Sequence, residues 1–146
     1  MRLVHLHLKR SVMSNELNPF PENEITPFYD SSGHALFYLH SDGKYFYHYD
    51  GTPIAYLYNH QCIISYLGQY LGWLHNGSII DYKNGRYAFF TSHSSDGVSR
   101  PGRKSKPSRS SRQSRPAESS RMSRPSRPSR SSGWSENSNM TFFPNY

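Results

Sequence analysis

The chain has 146 residues, 15% of them aromatic and 18% charged, with a formal net charge of +7. That length suits one small domain. A single cysteine, Cys62, excludes an intrachain disulfide and a thiolate metal cluster, and no apolar run reaches the ~20 residues of a membrane-spanning helix.

Residues 1–24 read as a polar lead-in. Met1 to Met13 holds Arg2, Lys9 and Arg10 but sets His5 and His7 among its apolar residues, which breaks a signal-peptide core. Met13 is an alternative start. Residues 14–24 carry two prolines, Pro19 and Pro21. With a lone cysteine, the expected setting is a reducing cytoplasm, peripheral to a membrane if the basic tail described below binds one.

Residues 25–92 are a tandem repeat. Gly33, Gly51, Gly68 and Gly85 fall 18, 17 and 17 residues apart. A tyrosine stands just before each: Tyr29, Tyr49, Tyr66 and Tyr82. Five residues after each comes an aromatic: Tyr38, Tyr56, Trp73 and Phe90. Six residues after come Leu39, Leu57, Leu74 and Thr91. Alternating side chains put the fifth position on one strand face and the fourth and sixth on the other. Second turns follow at Ser41-Asp42-Gly43, Asn59-His60-Gln61 and Asn76-Gly77, then second strands at Tyr45–Tyr49, Cys62–Tyr66 and Ser78–Tyr82. A turn every eight or nine residues leaves no room for a capped helix. The last repeat has a first strand, Arg86–Thr91, and no second. Ile25–Tyr29 is therefore expected to pair with it and close the ring, removing exposed edges. Pro27 then belongs at a strand start or where its nitrogen leaves the ladder. The fourth position runs Phe37, Ala55, Gly72, Phe89, a size rhythm suited to a tight axis.

The glycine-headed hairpins Tyr29-Asp30-Ser31-Ser32-Gly33, Tyr49-Asp50-Gly51, Tyr66-Leu67-Gly68 and Tyr82-Lys83-Asn84-Gly85 resemble the bacterial 4-fold beta flower family. Most of the likeness lies in Gly51-Thr52-Pro53-Ile54-Ala55-Tyr56 and Gly68-Gln69-Tyr70-Leu71-Gly72-Trp73. The resemblance covers residues 25–92. It implies an all-β domain of four pseudo-symmetric β-hairpin repeats closed around a central axis, and it carries over no activity and no site residues.

Residues 93–133 form a Ser/Arg/Pro-rich basic linker. Gly97 to Gly133 holds eleven Lys and Arg against one acid, Glu118, a net +10, with thirteen serines, five prolines and no aromatic. The rest of the chain has six basic and nine acidic residues, a net −3. Ser123-Arg124-Pro125-Ser126-Arg127-Pro128-Ser129-Arg130 reads as a Ser-Arg-Pro repeat. A segment with so little apolar surface is expected to be disordered. Arg109, Arg112, Arg115, Arg121, Arg124, Arg127 and Arg130 then attract polyanions, either nucleic acid or an anionic membrane, unless the tail is a plain spacer. Its lack of aromatics argues against sequence-specific RNA recognition. At residues 134–146 aromatics return, as Trp134, Phe142, Phe143 and Tyr146. They dock on the domain, serve a partner as a short motif, or trail free.

Candidate chemistry is thin. Metal ligation would reuse one repeat position, yet among His34, His40, His48, His60, His75 and His93 only His40 and His75 align. Cys62 aligns with Tyr45 and Ser78, a strand position rather than a nucleophile's. Asp30, Asp42 and Asp50 fall in turns, where aspartate caps its own backbone. No phosphate loop, nucleophile elbow or Cys-His pair occurs. The expectation is a non-enzymatic binding or scaffold module without cofactor, its partner unknown, which a polycationic tail tethers to an anionic surface. A homo-oligomer would use spare tyrosine rings. The alternative is an apolar ligand or lipid held at the axis by Tyr38, Tyr56, Trp73 and Phe90.

Overall fold

Each repeat glycine takes a left-handed backbone, with φ of 87° at Gly33, 96° at Gly51, 89° at Gly68 and 72° at Gly85. The four turns are built alike. The glycine N–H donates back to Asp30, His48, Ser65 or Asp81 at 2.8–2.9 Å, and a side chain such as Asp30 or Asp50 accepts from amides two residues on. Aspartate therefore caps its own turn, as its position implies. Asp42 does the same for Lys44 and Tyr45.

The computed structural model describes residues 19–144. Met13, His5, His7 and Tyr146 lie outside the described residues. The strands are β1 (Thr26–Tyr29), β2 (Ala35–Leu39), β3 (Tyr45–His48), β4 (Pro53–Tyr58), β5 (Cys62–Ile64), β6 (Tyr70–His75), β7 (Ser78–Asp81) and β8 (Tyr87–Phe89). All eight form one antiparallel sheet in chain order. Closure falls where the repeat count requires it. Tyr29 pairs with Phe90 beyond β8, each amide donating to the other's carbonyl at 2.8 and 3.0 Å. The seam is short for a physical reason. In a strand, amides two residues apart face the same side, so the nitrogen of Pro27 faces the seam with that of Tyr29, and it has no hydrogen to donate.

The register shifts once per repeat, always in the pair joined by a glycine turn: at Phe28/Tyr29, Phe46/Tyr47, Ile63/Ile64 and Ile79/Ile80. The petal hairpins β2–β3, β4–β5 and β6–β7 have none. Bulges sharpen twist and bend, which lets such short strands close a barrel. At the petal tips, Asn59-His60 and Asn76-Gly77 both take positive φ, the signature of two-residue hairpin turns.

Inside the barrel sit Phe28, Phe37, Phe46, Ala55, Ile63, Ile79 and Phe89, all fully buried, with Leu39, Leu57 and Leu74 near the tips. Phe37 stacks on Phe28 at 5.1 Å and meets Phe89 edge-on at 4.8 Å. The size rhythm at the fourth position makes room for residues from outside the repeat. Phe142 packs on Phe89 at 5.2 Å and Phe143 on Phe37 at 4.9 Å. A Cβ at Gly72 would lie 3.0 Å from the Phe142 ring. Phe20 of the lead-in joins the same core against Phe28.

The expectation of a disordered tail is corrected. Residues 99–131 form neither helix nor strand, but they run along the outside of the barrel, hydrogen-bonded to every glycine turn. The composition argument weighed only what this segment could bury by itself; a preformed barrel supplies the missing surface. Of the fates open to the C-terminal aromatics, docking on the domain is the observed one. Gly133 and Ser135 bracket a parallel bridge between Trp134 and Tyr87, and Ser138 Oγ donates to Ala88 O at 2.6 Å. A 3-10 turn at Met140–Phe142, capped by Asn139, then delivers the two phenylalanines.

Candidate functional site

The outer strap, residues 100–132, repeats every nine residues. Arg103, Arg112, Arg121 and Arg130 are one nine-residue series, and Ser105, Ser114, Ser123 and Ser132 another. Its hydrogen bonds follow the same count. Amides of Lys104, Gln113, Met122 and Ser131 donate to the carbonyls of Gly33, Gly51, Gly68 and Gly85 at 2.8–2.9 Å. A further amide per unit, from Ser110 and Ser119, donates to Tyr49 and Tyr66 at 2.9 Å. The equivalent positions in the outer units are Pro101 and Pro128, which have no amide to give. Each strap unit therefore matches one petal.

The repeat glycines also clear the way for the strap. A Cβ at Gly33, Gly51, Gly68 or Gly85 would collide with the carbonyl oxygen of Gly102, Ser111, Ser120 or Ser129 respectively. Positive φ and close backbone approach both demand glycine here. By contrast, Gly43 at a petal tip has φ of 72° and open space around it.

The outer wall under the strap is aromatic, and the arginines rest on it. Arg103 lies over Tyr29 (6.0 Å), Arg109 over Tyr38 (5.7 Å), Arg112 over Tyr47 (5.8 Å), Arg115 over Tyr45 (3.8 Å), Arg121 over Tyr58 (3.7 Å) and Arg127 over Trp73 (4.8 Å). Arg124 Nε donates to the Tyr82 hydroxyl at 3.4 Å. A guanidinium over a ring face is held by the ring's quadrupole, and the arginines themselves stay exposed. Six of the seven arginines singled out from sequence make these contacts, and Arg130 lies at the end of the strap near His75. Arg103 belongs with the six and is in phase with the same three-residue series, but it stands before the Ser-Arg run and Lys106 separates it from Arg109, so the sequence pattern leaves it out.

The four aromatics expected at the axis are elsewhere. Tyr38, Tyr56, Trp73 and Phe90 are buried on the outward face, in three separate clusters. Tyr38 and Phe90 pack with Tyr29, Tyr47 and Tyr49; Tyr56 packs with Cys62 and Tyr66; Trp73 packs with Ile80 and Tyr82. They share no cleft, and the axis is filled by phenylalanine. A cleft of about 700 Å³ opens at the tip end among Phe20, Thr26, Leu39, His40, Asp42 and His60, and none of the four lines it. Cys62 is buried in β5, a strand residue as its alignment implies.

Burial dominates the electrostatics of the wall. Burial holds the His40 and His75 imidazoles below the usual histidine range, and nearby arginines, Arg112 at His40 and Arg130 at His75, push the same way. Burial raises the Tyr49 phenol to about 12, helped by neighbouring Tyr29. Burial likewise raises Tyr66, the equivalent tyrosine one repeat on. Among the described residues, no three His, Cys, Asp or Glu side chains converge as a metal site, and no helix is long and apolar enough to cross a membrane.

An eight-strand barrel of four glycine-headed repeats, bound by its own strap, defines a class of small all-β protein. The chain belongs to the 4-fold beta flower protein family, whose model matches residues 26–143 and so runs through the strap to the docked phenylalanines. No match is found among curated proteins or solved structures.

Proposed function

We propose that the chain is a non-enzymatic module that binds phosphate-bearing polyanions through its arginine belt. The observation that carries this reading is the seating of six arginines on aromatic rings within a segment of net +10. Stacking occupies the guanidinium face and leaves its edge N–H groups for phosphate, the geometry in which arginine binds oxyanions in pairs of hydrogen bonds. A belt held in place also loses less conformational entropy on binding than a free tail. The apolar-ligand alternative has no such support, since its four residues are apart and covered.

The test uses inorganic polyphosphate and the full chain. Deleting the strap would withdraw Phe142 and Phe143 from the core, so charge replacement is the cleaner change. A variant with Arg→Gln at Arg109, Arg112, Arg115, Arg121, Arg124, Arg127 and Arg130 is expected to lose binding while keeping the far-ultraviolet spectrum of the barrel. Wild-type affinity should fall steeply between about 50 and 200 mM salt as counterion release is suppressed. Equal binding by the folded variant would overturn the reading.

A further inference from the structure

The belt surrounds the barrel, and that geometry selects among polyanions. Its arginines rest on Tyr29 of β1, Tyr38 of β2, Tyr45 and Tyr47 of β3, Tyr58 of β4 and Trp73 of β6, with Arg124 at Tyr82 just past β7. In a closed ring of eight strands, each strand is one eighth of a turn. The charges therefore face nearly every direction around the axis. With strands ~4.8 Å apart and tilted about 40°, the barrel wall is about 16 Å across. That exceeds the Debye length of about 8 Å at physiological salt. Arginines on opposite sides cannot act on one flat surface.

We infer that the partner is single-stranded nucleic acid laid around the belt. This rests on the polyanion reading above and narrows it. A bilayer is flat and meets one side of the ring. Duplex DNA, with a persistence length of about 150 base pairs, cannot curl around so small a barrel. A single strand can follow the curve and engage every arginine. Recognition goes to phosphate rather than base. Tyr38 and Tyr56 are 0% and 2% exposed, the half-buried Tyr45 and Tyr58 already carry Arg115 and Arg121 on their faces, and the hollows beside those two arginines are bordered by the Glu118 carboxylate, which repels a strand's phosphates. Binding is thus blind to sequence, and the same for RNA and DNA strands.

The experiment measures binding of the wild-type full chain to four probes at matched salt: a mixed-sequence RNA of about 16 nucleotides, the upper end of a small domain's site size, the DNA strand of the same length, its duplex, and phosphatidylserine-containing vesicles. The single strands are expected to bind about tenfold more tightly than the duplex, against the duplex's greater charge density. Three variants on different sides, Arg109→Gln, Arg121→Gln and Arg127→Gln, should each lower the logarithmic salt slope by about 0.7. Arg→Lys at the same positions should restore the slope.

Duplex or vesicles binding as well as the single strands would overturn the inference, as would losses confined to one side of the ring. Polyphosphate binding would survive either result, so the broader reading would stand. If polyphosphate also fails to bind, both fall together.

Discussion

The barrel and the strap are ordered by different means. The barrel is held by an eight-strand ladder of backbone hydrogen bonds, joined at its seam by the Tyr29–Phe90 pair, around fully buried phenylalanines such as Phe28, Phe37, Phe46 and Phe89, each sequence segment carrying its own strand and turn chemistry. The strap carries none. Each nine-residue unit is fixed by one or two amide bonds to a petal and by arginines laid on rings. The barrel's order is therefore intrinsic and the strap's is borrowed. Barrel changes should disturb both regions, whereas side-chain changes in the strap should leave the barrel intact.

The largest effect is expected at the core. Phe37→Ala removes the ring that touches Phe28, Phe46, Phe89 and Phe143, and should cost about 3–5 kcal/mol in denaturant unfolding, releasing the strap in the same transition. A split transition, with the strap leaving first in this variant alone, would show that the two regions do not unfold as one unit.

Next comes Gly68→Ala, which sets a methyl against Ser120 O at φ of 89°. Backbone strain alone is about 1–3 kcal/mol, and the strap must also lift. Trypsin should then cut after Arg121 while circular dichroism of the barrel persists. Gly43→Ala is the control, having comparable φ but open space; it should be destabilised without new cleavage.

Alkaline pH comes third. Below about pH 10 a phenol is neutral in folded and unfolded chains alike. Tyr49 ionises only near 12 when folded, so stability is full below about 10 and is lost as pH rises toward 12. Unfolding midpoints followed from pH 8 upward should fall in that window, and Tyr49→Phe should soften the fall.

The smallest effect is Arg127→Ala. It removes one guanidinium from Trp73 and should lower stability by about 0.5–1 kcal/mol, measured by thermal unfolding in a double-mutant cycle with Trp73→Phe. A null coupling would leave this unit fastened by its amide-to-glycine bond and by Arg124 on the Tyr82 hydroxyl.

Much of the barrel was legible from the chain. Turn glycines, alternating aromatics and the unpaired last strand dictated eight strands and their closure, because these are local signals whose meaning does not depend on distant residues. The strap was not, because its order is conferred by a surface that exists only after folding. The Ser-Arg-Pro triplets show the spacing of the arginines, but not that three triplets make one unit, which the amides of Lys104, Gln113, Met122 and Ser131 mark at the glycine turns. The outward aromatics were placed on a common strand face correctly and assigned to the wrong side of the wall. Alternation separates two faces but does not say which is inside; Phe37 and Phe89 took the interior, and the tyrosines, each with a hydroxyl, took the side the strap covers.

The carbonyls seated at the four glycine turns link two numbers in this protein. Advancing 17 or 18 residues along the petals corresponds to nine along the strap, so the two tracks run like meshed gears of different pitch. A lineage that gains or loses a petal must gain or lose one nonapeptide with it, and insertions in the strap of any other length throw every later arginine off its ring.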